Sequence, residues 1–141
     1  MKKKSLFAAV ALSAVILAGC GEKAVTSEQV KESAVADFAT EYLQDAKKAD
    51  ESGLIVIESA TNQYLYFKNA EGEAVKIKDM KFTKKSDTRN SNYRVDITTE
   101  AAKDAADGDA VYEFQNAKNL ETLDIYVDGK ETPVSKVYAN H

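Results

Sequence analysis

The apolar residues of this chain follow a helical period near residue 30 and a period of two beyond residue 53. The helical stretch opens at Thr26 or Ser27, where Thr26 with Gln29 fits a capping box, and Gly53 offers a stop. Apolar side chains recur three or four positions apart at Val30, Ala34, Val35, Phe38, Ala39, Tyr42, Leu43 and Ala46. The spacing predicts one long amphipathic helix, with the face formed by Val30, Ala34, Phe38 and Tyr42 buried against a sheet.

Beyond Gly53 the pattern predicts six or seven strands. They occupy residues 54–57, 64–67, 75–82, 93–98, 110–115, 123–127 and 130–138. A change of apolar phase predicts a bulge near Lys78 and Asp79, because a strand cannot shift its period without an extra residue. Asp128-Gly129 predicts a hairpin, and Pro133 in the returning strand indicates a sheet edge. A turn at 69–72, a loop at 83–92 and a short helix within 99–107 complete the pattern.

The order of one helix and then several strands predicts an α+β fold. We expect a long N-terminal helix packed on a mostly antiparallel sheet of six to seven strands, forming a single domain over residues 26–141. A small barrel and an open sheet with one helix are alternatives that fit the same pattern.

The N-terminus has the pattern of a secretory signal. Lys2, Lys3 and Lys4 precede an apolar run from Leu6 to Leu17, which is followed by Ala18, Gly19 and Cys20. A helix of about 12 residues spans about 18 Å, which is too short for a hydrocarbon core of about 30 Å. A conventional secretory signal, with Cys20 incidental, is the alternative to a lipidated one.

The stretch Leu17-Ala18-Gly19-Cys20 resembles the lipobox of bacterial lipoproteins. The resemblance implies that Leu17, Ala18 and Gly19 are recognised by the signal peptidase, that residues 1–19 are removed, and that Cys20 carries a diacylglyceryl group. Residues 20–25 would then be a lipidated tether, and the domain would lie at the outer face of the cell membrane. The order of lipobox, helix and meander is also similar to the small extracytoplasmic lipoproteins of the cystatin-like and NTF2-like group.

Composition narrows the partners of the domain. Without residues 1–19 the chain has 122 residues with 16 basic and 23 acidic side chains, a net charge of −7. An acidic body is a poor general binder of nucleic acid. Cys20 is the only cysteine, so no disulfide is expected. Lysine outnumbers arginine 17 to 2, which together with the signal indicates a Gram-positive source.

Catalytic and metal-binding patterns are weak in this sequence. The only histidine is His141, at the end of the chain, so a serine or cysteine hydrolase apparatus is not expected. Asp104, Asp107 and Asp109 surround Gly108, but an EF-hand register would lack three ligands, and a solvated turn is the better interpretation. We therefore expect neither enzyme activity nor a metal or other cofactor.

Charge and tyrosine provide the candidate contact residues. Residues 76–94 carry a net charge of +5, and residues 96–128 carry −7. The basic segment is a candidate for contact with anionic lipid or teichoic acid, and the acidic segment for attraction of a cationic peptide. The alternative is that both are ordinary solvated strand faces that interleave once folded. The candidate surface residues are Lys76, Lys78, Lys81, Lys84, Lys85, Tyr64 and Tyr66, with core filling as the alternative for the tyrosines.

The sequence therefore favours a lipid-anchored, non-catalytic binding module that contacts a membrane protein or a small ligand at the cell surface. One alternative is a lipoprotein for bacteriocin immunity or for exclusion of phage or plasmid entry. Another is an enzyme with a pocket inside a cone-shaped sheet. A third concerns residues 12–19, an apolar octapeptide similar to the enterococcal sex pheromones cut from lipoprotein signals. The oligomeric state is left open.

Overall fold

The computed structural model describes residues 25–84, 93–117 and 120–140. The predicted signal peptide, Cys20 and Lys85 lie outside the described residues. The chain is α+β and mostly sheet, with nine strands in the described part. The strands are β1 Thr26–Val30, β2 Gly53–Ser59, β3 Gln63–Lys68, β4 Val75–Lys84, β5 Tyr93–Ala101, β6 Ala110–Gln115, β7 Asp124–Val127, β8 Lys130–Glu131 and β9 Lys136–Asn140. The helices are α1 Asp37–Lys48 and α2 Ala105–Gly108, with 3₁₀ turns at Glu32–Ala34 and Leu120–Thr122.

The strands form two sheets rather than the single sheet predicted. The first sheet has the order β1-β6-β3-β2-β9, and the second has the order β4-β5-β7-β8. Most pairings are antiparallel, but β2 with β9 and β5 with β7 are parallel. Parallel neighbours need a long connection between them, so local sequence patterns could not indicate either pairing.

Three layers result, because the first sheet is covered on both faces. Its residues Ile55, Ile57, Tyr64, Tyr66 and Val111 pack with α1. The alternate residues face the second sheet, and they include Leu54, Val56, Leu65, Phe67, Tyr112 and Phe114. A strand buried on both faces has no polar side to show, which explains why residues 54–57 form an unbroken apolar run.

The long N-terminal helix is wrong, because residues 26–30 form a strand. β1 pairs with β6, placing Ser27 opposite Phe114 and Val30 opposite Val111. Ser27 is 1% exposed, so it lies inside the protein rather than capping a helix. The pairing satisfies the backbone groups of β1 that face β6, and this tertiary contact outweighs a helical spacing of apolar residues.

The helix that does form is α1, and its buried face differs from the prediction. Ala39, Leu43 and Ala46 are buried against the first sheet. Phe38 and Tyr42 are half-buried, and Ala34 is exposed in the 3₁₀ turn before α1. The Lys68 ammonium donates hydrogen bonds to the carbonyl oxygens of Ala46 (2.8 Å) and Ala49 (2.5 Å), at the carboxyl end of α1.

Several local predictions are confirmed. The register of β4 against β5 shifts between Ile77 and Asp79, as the change of apolar phase predicted. Asp128 and Gly129 have positive φ angles of 51° and 85° and join β7 to β8, as expected for the Asp-Gly hairpin. The returning strand is not continuous, however: the chain leaves the second sheet after β8, crosses at residues 132–135, and enters the first sheet as β9.

Candidate functional site

A lateral cleft of about 570 Å³ opens where the two sheets end beside each other. Its apolar floor comes from Leu123 and Ile125 on the β7 side and from Val134 and Val137 on the β9 side. Leu123 and Ile125 are almost fully buried, whereas Val134 and Val137 are half-buried. The cleft lies in the volume range of ligand pockets, about 300–1,000 Å³.

The crossing from β8 to β9 fixes the shape of this cleft. The Thr132 N–H donates to the Ile125 carbonyl oxygen at 2.8 Å, which holds the crossing to the second sheet. The Ser135 N–H donates to the Leu54 carbonyl oxygen at 2.7 Å, which holds it to the first sheet. Pro133 lies between them and has no N–H to continue either ladder. The proline that indicated a sheet edge therefore marks the change of sheet.

Two carboxylates line the cleft beside the apolar floor. Asp124 is half-buried at the start of β7, and Glu131 is exposed at the end of β8. The guanidinium of Arg94 is engaged nearby: it lies 3.8 Å from the centroid of the Tyr126 ring and 3.0 Å from a carboxylate oxygen of Asp96. The hydrogen bond that the Arg94 guanidinium donates to the Asp96 carboxylate is the main cause that raises the pKa of Arg94. Asp124 stands opposite Arg94 in the register of β7 with β5, and its charge helps to raise the pKa of that guanidinium. Glu131 is therefore the exposed carboxylate of the lining, and together with the apolar floor it suits a ligand with an apolar part and a positive charge.

A second hollow of about 550 Å³ lies at the turn between β2 and β3. Its lining is mostly polar. The Asn62 amide donates to a carboxylate oxygen of Glu113 at 3.2 Å, and the Gln63 amide donates to the Ala117 carbonyl oxygen at 2.6 Å. These bonds tie the β2–β3 turn to the end of β6, so the hollow belongs to a well-connected part of the structure. Ser27 of β1 stands opposite Phe114, which lines this hollow, and its buried hydroxyl has no hydrogen-bond partner within the described residues.

One side of the molecule contains the start of β1 and the end of β4. Val25 is fully buried next to the start of β1, so it belongs to the core and not to the predicted tether. Lys84, the last residue of β4, lies on the same side of the molecule. Phe82, two residues before it, contacts Phe114 of β6 with ring centroids 5.4 Å apart, and Phe114 stands opposite Ser27 of β1. We name this side the Val25 end.

The opposite side is acidic, and we name it the Gly108 end. It contains the 69–75 turn and the 101–110 segment, which the Asn69 side chain joins by hydrogen bonds to Val75 and Asp109. These two segments carry five carboxylates and one lysine, a net charge of −4. The Asp104 side chain accepts a hydrogen bond from the Asp107 N–H at the start of α2, so this acidic turn has a structural role, as expected from the sequence.

The predicted lysine residues are spread along β4 rather than gathered in one patch. Lys76 lies 3.9 Å from Glu100, and Lys81 stands opposite Asp96 in the register with β5. Lys78 is exposed at the bulge, and Lys84 is half-buried. The basic and acidic segments therefore interleave across the second sheet. Lysine side chains and a bulge on a long edge strand also hinder its pairing with another chain.

The two tyrosines predicted as possible contact residues are in the core. Tyr64 and Tyr66 are each 2% exposed and lie between the first sheet and α1. The Tyr64 hydroxyl accepts a hydrogen bond from the Ala36 N–H at 3.0 Å, at the start of α1. A surface-binding role for this pair is therefore wrong, because α1 covers the face that carries them. The sequence placed them opposite Leu65 and Phe67 without showing which layer covers each face.

The cleft was missed by the sequence reasoning. It depends on residues from β7, the crossing and β9, and it exists because β9 joins a different sheet from β8. The available signals were Pro133 shortly after the hairpin and Glu131 beside it. Neither indicates a pocket without the parallel pairing of β9 with β2.

The described residues contain no group of three or more His, Cys, Asp or Glu side chains arranged to hold a metal ion. No helix in this part of the chain has the length and apolarity needed to cross a membrane. No family model matches the chain, and no similar curated protein or solved structure was found.

Proposed function

We propose that this protein is a lipid-anchored, non-catalytic binding module that takes its ligand in the lateral cleft. The observation that carries the proposal is the cleft itself, in which an apolar floor is combined with the exposed carboxylate of Glu131. Such a surface gives an apolar ligand area to bury and gives a cation an electrostatic partner. The class of partner is a membrane protein or a small ligand at the cell surface.

The position of Val25 supports the anchored arrangement. This buried position is five residues after Cys20 in the sequence, and an extended chain over that distance reaches at most about 18 Å. A diacylated Cys20 would thus hold the Val25 end close to the outer face of the membrane.

The anchor is tested by mass spectrometry of the mature N-terminus. We expect a diacylated Cys20 as the first residue, and membrane association that two acyl chains are sufficient to maintain. Replacement Cys20→Ala should leave the precursor uncleaved. A mature wild-type protein that is soluble and begins at another residue would contradict the anchor and leave the cleft to be judged separately.

The cleft is tested with Nile red, a neutral apolar dye whose fluorescence rises in apolar surroundings. Val134→Trp should fill the cleft and reduce dye binding several-fold, because the indole occupies the apolar floor. Ala106→Trp is the matched control, since Ala106 is exposed in α2 at the Gly108 end. Thermal unfolding of both variants checks that the fold is intact. Equal dye binding by wild type and Val134→Trp would show that the cleft is not the apolar site.

A further inference from the structure

The outer edge of β9 differs from the edges formed by β1 and β4. In the described part of the chain, β9 pairs only with β2, so alternate N–H and C=O groups of Lys136–Asn140 point away from the sheet. The central residues of β9 are Val137, Tyr138 and Ala139, which carry no charge. By contrast, β4 has lysines and a bulge, and β1 has the exposed Glu28 at its centre. Of these three edges, β9 is the least hindered for strand addition.

Carboxylate side chains lie on both sides of this edge. On the cleft side it has Val137, which is part of the apolar floor, and the exposed carboxylate of Glu131 in the lining. On the α1 side, Tyr138 contacts Tyr42 with ring centroids 5.5 Å apart. Burial is the main cause that raises the pKa of the Tyr138 hydroxyl, and the negative charges of Glu51 and Asp45 raise it further. Lys136 lies over the Tyr138 ring at 5.5 Å and is the only basic residue of β9.

We propose that the β9 edge binds an extended cationic peptide, which adds as a strand beside β9 and places alternate side chains in the lateral cleft. Backbone hydrogen bonds to β9 would provide the register, and the carboxylates on both sides would select lysine or arginine over acidic residues. A stretch of about five residues matches the length of β9. This inference rests on the proposed function, since it names the class of ligand for the same cleft.

The test uses the full mature protein in nanodiscs of neutral phosphatidylcholine, so that a cationic peptide has no anionic lipid to bind. The probe is a capped six-residue peptide in which valine and lysine alternate. One comparison peptide has glutamate in place of lysine, and another has N-methyl groups on alternate backbone nitrogens. We expect the glutamate peptide to bind at least about tenfold more weakly, and the N-methylated peptide likewise, because each loses interactions that the proposal requires.

Protein variants locate the site. Glu131→Gln should weaken binding of the lysine peptide by about three- to tenfold, and adding Asp45→Asn should weaken it further. Glu73→Gln at the Gly108 end is the control and should leave the affinity unchanged. Hydrogen exchange should slow in β9 when the peptide binds, while β1 and β4 keep their rates.

Several results would overturn the inference. These are no binding of the lysine peptide, equal binding of the N-methylated peptide, unchanged affinity of Glu131→Gln, or slowed exchange at β1 or β4 instead of β9. A protein that binds Nile red in the cleft but fails these peptide tests would retain the proposed function and lose only this inference.

Discussion

The α-carbon of Gly108 lies directly against the carbonyl oxygen of Val75. A Cβ built on this glycine would be 1.9 Å from that oxygen and 2.7 Å from the side-chain nitrogen of Asn69. The same Asn69 nitrogen donates to the Val75 oxygen at 2.9 Å and to the Ala105 oxygen at 3.1 Å. Short helix α2, the start of β4 and the 69–75 turn therefore meet at a point where no side chain fits.

Gly108→Ala should lower the free energy of unfolding by about 1–3 kcal/mol or more, because the obstructing atom belongs to the backbone and cannot swing aside. Urea unfolding followed by circular dichroism measures the change. Gly72→Ala is the control, since a Cβ there meets nothing within 4 Å although its φ is +86°. The control should cost about 1–2 kcal/mol from backbone conformation alone. A smaller loss for Gly108→Ala than for Gly72→Ala would contradict the close contact.

The helix face can be tested with Leu43 and Phe38. Leu43 is 1% exposed and packs on the first sheet, so Leu43→Ala should cost about 2–5 kcal/mol of unfolding free energy. Phe38 is half-buried, with its ring centroid 6.2 Å from that of Tyr64, and Phe38→Ala should cost less. Chemical denaturation of the two variants decides the order. A larger loss for Phe38→Ala than for Leu43→Ala would support the buried face predicted from the sequence, which contains Phe38.

High pH should unfold the protein through its buried tyrosines. Burial raises the pKa of Tyr112 to about 12 and also raises the pKa of Tyr66, from an ordinary value of 10.0. The folded state holds these protons more tightly, so stability is unaffected below pH 10 and falls as pH rises from 10 through the folded pKa. For Tyr112 alone the loss by pH 12 is on the order of 2 kcal/mol.

The measurement is the free energy of unfolding between pH 9 and 12, with tyrosinate absorbance recorded in parallel. Tyr112→Phe removes one titrating group and should make the decline less steep. If all tyrosines ionise near their ordinary pKa while the fold persists, the burial of these rings is contradicted.

The lysines in the second half of β4, Lys81 and Lys84, predict a weak, salt-dependent attraction to anionic membranes. A lysine near such a surface contributes about 1 kcal/mol, so replacing Lys81 and Lys84 with glutamine should weaken vesicle binding of residues 21–141 by at least about fivefold. Lys103→Gln at the Gly108 end is the control and should have little effect. Cosedimentation with phosphatidylglycerol vesicles at low and physiological salt measures the binding. Binding that is independent of salt, or unchanged by replacing the two lysines, would limit their role to hindering the pairing of β4 with another chain.

Local patterns predicted much of the strand content because the decisive signals are short. The alternation at Tyr93, Val95 and Ile97 and the Asp128-Gly129 turn need only neighbouring residues to be recognised. The segment Thr26–Val30 shows the limit. Its apolar positions continue the spacing of α1, and no glycine or proline marks the break between strand and helix at residues 31–36.

The cleft could not be predicted, since it depends on which sheet each late strand joins. In the sequence, Val134 and Val137 have the pattern of ordinary residues in a returning strand. They become part of the apolar floor of the cleft only because β9 pairs with β2, with Lys136 opposite Ile55. The burial of Tyr64 and Tyr66 has the same origin. Both faces of β3 are apolar in the sequence, and the position of α1 decides which of them is closed to solvent.

The long-range pairing of both outer strands of the first sheet has a consequence for the order of folding. β1 pairs with β6, and β2 pairs with β9, in each case with partners about eighty residues further along the chain. Closing such large loops precedes the gain from the contacts and slows folding. If the chain is exported amino-terminus first, as the proposed anchor requires, this sheet cannot be completed until β9 has emerged. Because Val137 of β9 also lines the cleft, the proposed ligand site would form only after that point.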